Sequence, residues 1–125
     1  MTHRSRLAGF IIDCPTGDLD TAADFWAAAL GSQAGAKDDR YVSLDPQAGL
    51  YVAVQAVTHP ARVHLDIESD DVEAEVRRLE RLGATRVANI RTWVVMEAPT
   101  GHRFCVVRAG TADFEATAQT WEDGA

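Results

Sequence analysis

His64, Asp66 and Cys105 are the residues whose type and placement could do chemistry. Arg62 to Ile67 alternates, with Val63, Leu65 and Ile67 set against His64, Asp66 and Glu68, so His64 and Asp66 point to the same side of one predicted strand. An imidazole, with an ordinary pKa of about 6.5, changes charge near neutrality and can serve as acid, base or hydrogen-bond donor. Asp66 could orient that ring or line a wet rim; a neutral wall histidine satisfied by one hydrogen bond is the plainer reading. Cys105 lies in the apolar run Phe104-Cys105-Val106, which suits an inert buried thiol; a nucleophile would need a neighbouring base and an electropositive setting. Cys14 has the same kind of apolar context, and both cysteines are expected to be reduced and buried. Glu97, just before a hairpin, is the remaining carboxylate of interest, while His102 is read as a turn residue. Tyr41, Tyr51 and Trp93 fall on predicted strands, where an inward ring would offer a flat surface to a planar ligand. Trp26 belongs to a helix stripe and reads as core.

The elements that must position these groups occur twice. Ile11-Ile12-Asp13-Cys14 runs into Asp18-Leu19, and His64-Leu65-Asp66-Ile67 runs into Asp71-Val72; the helices that follow end at Leu30-Gly31 and Leu82-Gly83. A period of half the chain means a duplicated supersecondary unit, because stacked arrays need at least three repeats. Leu7 to Cys14 reads as a strand closed by Pro15-Thr16-Gly17. Asp18 caps a helix with the stripe Leu19, Ala22, Ala23, Trp26, Ala29 and Leu30. A short polar strand is expected within 32 to 40, then Tyr41 to Leu44, a turn over Asp45 to Gly49, and Leu50 to Val57. After Thr58-His59-Pro60 and the strand bearing His64, Ser69 or Asp70 caps a helix whose apolar face is Val72, Val76, Leu79 and Leu82. Its charged residues, Glu73, Glu75, Arg77, Arg78, Glu80 and Arg81, are expected in water. Thr85 to Ile90, Thr92 to Met96 and Phe104 to Val107 complete the second half. The tail, 110–125, carries Phe114 and Trp121 and reads either as one amphipathic helix or as a frayed terminus.

Composition limits the partners. A chain of 125 residues with 46% hydrophobic residues can bury one core as a single domain without disulfides or structural metal. Twelve basic against 19 acidic residues give a net charge of −7, which opposes adsorption to nucleic acid or anionic membranes. No stretch approaches the ~20 apolar residues of a spanning helix, and the expectation is a cytoplasmic protein.

The element order, both Leu-Gly helix ends and the hairpin Ala98-Pro99-Thr100-Gly101-His102-Arg103-Phe104-Cys105 resemble the glyoxalase-like branch of the vicinal oxygen chelate superfamily, which includes bleomycin-resistance and extradiol dioxygenase proteins. The resemblance covers residues 7 to 109 and rests on three stretches: Asp18 through Phe25-Trp26 to Gly31, Arg62 through Asp71 to Ala84, and Pro99-Thr100-Gly101 before Phe104-Cys105. It implies an α+β fold of two βαβββ modules, about 7–57 and 62–109, forming a half-open curled sheet with a concave cleft.

In metal-using members, each module contributes a first-strand ligand, usually His, and a last-strand ligand, usually Glu. Carried onto this sequence, those positions are Ile11 or Gly9, Gln55, His64 and Cys105. Only His64 is a usual ligand, and His with Cys is a soft pair better matched to zinc or copper than to an oxygen-rich site. The resemblance therefore implies a binding protein that takes a small organic molecule, planar for example, without metal, in a cleft lined by Gln55, His64, Asp66, Trp93 and Cys105. The alternative it implies is a lyase, isomerase or dioxygenase in which His64 is the acid or base, or a ligand of an unusual divalent metal. A homodimer is the expected assembly.

Overall fold

The computed structural model describes residues 1–47 and 49–123. The fold is α+β, built from two βαβββ modules, and divides into two compact units: Gly9–His64, and Met1–Ala8 with Leu65–Ala125. Strand β1 (Thr2–Cys14) contributes its first part to one unit and its last part to the other.

In the unit Gly9–His64, the end of β1 runs parallel to β4 (Leu50–Ala56), which pairs antiparallel with β3 (Tyr41–Gln47), and β3 with β2 (Ala34–Lys37). Helix α1 (Leu19–Leu30) starts where Asp18 accepts the Thr21 N–H at 3.1 Å and stops where Gly31 takes a left-handed turn, φ 66°. Alternation along the strands sends Phe10, Ile12, Cys14, Val42, Leu44, Val52 and Val54 toward α1, where Ala23, Ala27, Leu19 and Trp26 meet them. The buried stripe ends one residue pair earlier than expected. Ala27 is buried, whereas Ala29 and Leu30 are exposed, because they turn away from the sheet in the last helical turn.

The other unit repeats the plan. From Leu65 on, β5 (Arg62–Ser69) runs parallel to β8 (Arg103–Arg108), which pairs antiparallel with β7 (Trp93–Glu97), and β7 with β6 (Thr85–Ile90). Helix α2 (Val72–Arg81) packs Val76 and Leu79 on Val94, Met96, Phe104 and Val106. Its cap is Asp71, which accepts the Ala74 N–H at 3.0 Å, not Ser69 or Asp70. Those two are engaged with β1: Ser69 Oγ donates to the Arg4 carbonyl and Asp70 accepts the Arg4 N–H, both at 2.8 Å. Leu82 follows the helix and is exposed rather than core.

Two further expectations fail for one shared reason. The described part of the tail is neither frayed nor a single helix: after the turn α3 (Phe114–Thr117), strand β9 (Gln119–Glu122) pairs antiparallel with Thr2–Ser5 of β1. Glu75, expected in water, is fully buried. It is covered by what that pairing brings: His3 Nε2 lies 2.7 Å from Glu75 Oε1, His3 Nδ1 bonds Asp123, and Trp121 donates to Ser5 Oγ at 2.9 Å. Arg78 grips both Glu75 oxygens at 2.8 and 2.9 Å while its guanidinium stacks 3.9 Å from the centroid of the Trp121 ring. Both cysteines are free thiols and half-buried, not buried: Cys14 faces α1 only partly covered, and Cys105 alternates to the face away from α2.

Burial disfavours a charged His3, but hydrogen bonds to Glu75 and Asp123 and their charges overcome it, so its pKa is raised above 6.5. For Glu75 burial pushes up, and the bonds from Arg78, His3 and Ser5 pull the value below 4.5. Stability from His3 is fully present below pH 6.5 and is lost as pH rises through its raised value; that from Glu75 is present above pH 4.5 and is lost as pH falls through its lowered value. Melting temperature measured across pH is expected to peak between these limits, and His3→Gln is expected to flatten the alkaline decline. An unchanged alkaline limb in that variant would refute the assignment.

Candidate functional site

The face of each unit away from its helix carries the polar residues that strand alternation leaves unburied by α1 or α2. In Gly9–His64, strand register sets Tyr41 beside Gln55 and Gln55 beside Asp13, a transverse row on that face. Next to it, His64 Nδ1 lies 2.9 Å from Asp13 Oδ2. Asp13, only 2% exposed, also has Arg62 Nε at 3.5 Å and His59 Nε2 at 3.7 Å from the same oxygen. Its other oxygen, Oδ1, is buried and has no hydrogen-bond partner among the described residues. Three nitrogen-bearing side chains thus gather on one carboxylate.

This arrangement has a chemical consequence for His64. A carboxylate only accepts, so it holds the proton of a neutral imidazole on Nδ1 and leaves Nε2 as the basic nitrogen. Asp13 is thereby a positioning residue for His64. In the sequence Asp13 stands out only as part of the repeat; a carboxylate inside the apolar run Phe10-Ile11-Ile12-Asp13-Cys14 is the signal that marks it, since a buried charge demands partners. Cys14, beside it in sequence, faces α1, and burial together with the Asp13 charge raises its thiol pKa, which makes it a poor nucleophile.

In the other unit, register sets Asp66 beside Cys105 and Cys105 beside Val95. This is the repeat of the row Asp13, Gln55, Tyr41. Val94, Met96, Phe104 and Val106 are buried against α2, so Trp93, Val95, Cys105 and Val107 alternate to the opposite face, each half-buried. His64 stands two residues before Asp66 on β5, on the same side of that strand. Trp93 also lies on a cavity at the start of α2. Glu97 is committed to Arg103 at 3.0 Å, and His102 Nδ1 bonds Thr100 Oγ1 within the hairpin turn at 2.8 Å.

The four positions that hold the divalent ion in metal-dependent members carry one customary ligand here, His64. Ile11 is buried with a hydrocarbon side chain. At Gly9 a Cβ would stand 1.7 Å from the Tyr51 carbonyl oxygen, so no side chain can be placed there. Gln55 offers a neutral amide and Cys105 a thiol. The Arg62 guanidinium beside Asp13 opposes a second cation near His64 Nδ1.

Two βαβββ modules, with the polar residues of their first and last strands in register, are the architecture of the vicinal oxygen chelate superfamily. The chain belongs to the family described as Glyoxalase-like domain, which matches residues 9–107. No curated protein matches it in sequence. Among solved structures it is similar to methylmalonyl-CoA epimerase in complex with methylmalonyl-CoA and NH4+, at 15% identity and TM-score 0.59 over 86% of this chain and 97% of that one. It is also similar to a glyoxalase/bleomycin resistance protein/dioxygenase superfamily member from Vibrio splendidus 12B01, at 18% identity and TM-score 0.52 over 82% and 98%. A third is described as an NAD-dependent benzaldehyde dehydrogenase from Legionella pneumophila, at 11% identity and TM-score 0.62 over 81% and 99%. At these identities the likeness is one of fold.

Two substitutions test the geometry. Gly9→Ala is expected to cost about 3 kcal/mol in denaturant unfolding, because strand β1 must move off Tyr51. Asp13→Asn is expected to shift the neutral His64 ring from the Nδ1–H toward the Nε2–H tautomer, read from its imidazole nitrogen resonances; an unchanged tautomer would remove the positioning role.

Proposed function

We propose that this chain is a metal-independent small-molecule-binding protein of the glyoxalase-like family, taking a small organic ligand on the surface that carries His64. The observation that supports the reading is the donor set at the four family positions: Ile11 or Gly9, Gln55, His64 and Cys105 include only one customary ligand. What remains on the Gly9–His64 unit is a surface of hydrogen-bonding groups, with Gln55 and His64 to fix orientation. That is the composition of a binding site without metal polarisation.

A second reading is favoured by one specific contact. The Asp13–His64 bond sets the tautomer that a general base requires, so the bound molecule could undergo proton transfer at Nε2. In this reading the chain is a lyase or isomerase of the glyoxalase-like type, and Asp13 acts only through His64.

Metal content distinguishes both from a metal-dependent enzyme. Untagged protein, incubated with zinc, nickel, iron or manganese salts and desalted, is expected to retain no stoichiometric metal by plasma mass spectrometry. Retention of one equivalent, lost in His64→Ala, would overturn the proposal. A panel of small organic molecules is then expected to include one that raises the melting temperature by several degrees near saturation, with His64→Ala reducing that shift. A ligand turned over by the wild type and bound but not turned over by His64→Ala would establish the second reading over the first.

A further inference from the structure

Within the unit Met1–Ala8 with Leu65–Ala125, His3 is 1% exposed and both of its ring nitrogens face carboxylates. Nε2 lies 2.7 Å from Glu75 Oε1 of α2, and Nδ1 bonds Asp123 in the tail. A carboxylate only accepts, so both contacts are hydrogen bonds only when the ring carries two protons. A neutral ring donates to one carboxylate and turns a lone pair toward the other. The two are not equal. Glu75 is fully buried and is held by Arg78 on both oxygens, whereas the Asp123 side chain is 21% exposed and reaches water by a small movement. The single proton of a neutral His3 therefore stays on Nε2, and the repulsion falls on Asp123.

Asp123 is the end anchor of a short strap. β9 pairs with β1 over Thr2–Ser5, the Asp123 N–H donates to the Met1 carbonyl at 2.9 Å, and Trp121 donates to Ser5 Oγ while its ring lies against Arg78. Upstream, Arg4 donates to the Glu115 and Ala118 carbonyls at 3.0 and 2.8 Å, which ties down α3. Four paired residues on one edge are marginal alone, so the anchor at their end decides whether they stay. The surrounding charges do not replace it. Arg78 is committed to Glu75, and Arg77 and Arg81 line a cavity of about 290 Å³ beside Asp123 without forming an ion pair with it. From the end of β5, Glu68 is engaged with Arg6, Gly110 and Thr111, and just beyond it Asp70 accepts the Arg4 N–H.

We propose that His3 is a proton-operated clasp: the imidazolium holds the tail strand β9 on β1, and loss of its proton frees β9 and Trp121 while α2 and the sheet beneath it stay folded. Burial disfavours the imidazolium, and the bonds and charges of Glu75 and Asp123 outweigh that, so the strap is held at and below pH 6.5 and is released as pH rises through the raised value. Release leaves the backbone groups that Thr2–Ser5 share with β9 unpaired, and it takes the Trp121 ring off Arg78.

Fluorine NMR of the full chain labelled with fluorotryptophan, recorded from about pH 6 to about pH 9, tests this. The Trp121 resonance is expected to follow a one-proton transition, from about one tenth to about nine tenths released over about two pH units, with the Trp93 resonance of β7 unmoved. His3→Gln, which offers one amide group to two carboxylates, is expected to hold Trp121 at its released position at every pH. Asp123→Asn leaves the buried His3–Glu75 pair intact, and it is expected to keep Trp121 docked through the alkaline range, because the asparagine amide donates to Nδ1 of the neutral ring. Mere loss of a structural contact would loosen the tail in both variants. A wild-type Trp121 resonance without pH dependence, Trp93 moving together with Trp121, a His3→Gln tail that stays docked or still titrates, or an Asp123→Asn tail that releases as the wild type does would each overturn the proposal.

Discussion

The burial of one helix against one face of each strand set is the constraint on which the rest of this protein depends. Because side chains alternate along a strand, covering Phe10, Ile12, Val42 and Val54 with α1 assigns Ile11, Asp13, Tyr41 and Gln55 to the opposite side. The same choice in the second repeat, with α2 over Val94, Met96, Phe104 and Val106, assigns Asp66, Val95 and Cys105. Neither Asp13 nor Asp66 could be moved by one position without sending a charge into the core. The chemistry is therefore located by apolar packing.

Within that frame the two repeats have diverged in how they satisfy their carboxylates. Asp66 is half-buried, with a thiol as its strand neighbour. Asp13 is buried, and a buried carboxylate is costly unless donors surround it. His64 supplies the short contact, and Arg62 and His59 add charge around it. The solution is local: Arg62 and His64 come from alternate positions of β5, and His59 from the segment just before that strand.

Much of the fold was legible in the sequence because it rests on local rules. The Asp18 cap, the Gly31 stop and the strand Thr85–Ile90 stand where hydrophobic period and turn residues place them. What escaped was set by pairing between distant segments. Glu75 sits in a charge run that reads as solvated, and nothing local announces that His3 and Trp121 will close over it. The tail reads as a helix or a loose end because a four-residue strand such as Gln119–Glu122 carries no period of its own and exists only beside Thr2–Ser5. Asp13 was visible as a charge in an apolar run, but its partners lie 46 to 51 residues away.

The same electrostatics set the surroundings of His64. A hard divalent cation such as Mg2+ or Ca2+ prefers anionic oxygens facing a space that no other cation occupies. In the Gly9–His64 unit the carboxylate nearest His64 is Asp13, and a guanidinium and a second imidazole already attend it. Ile11, placed by the repeat where the second module has His64, is buried hydrocarbon. The first module thus contributes charge balance to His64 where a metal-dependent relative would contribute a ligand. A histidine held in that way keeps one defined tautomer.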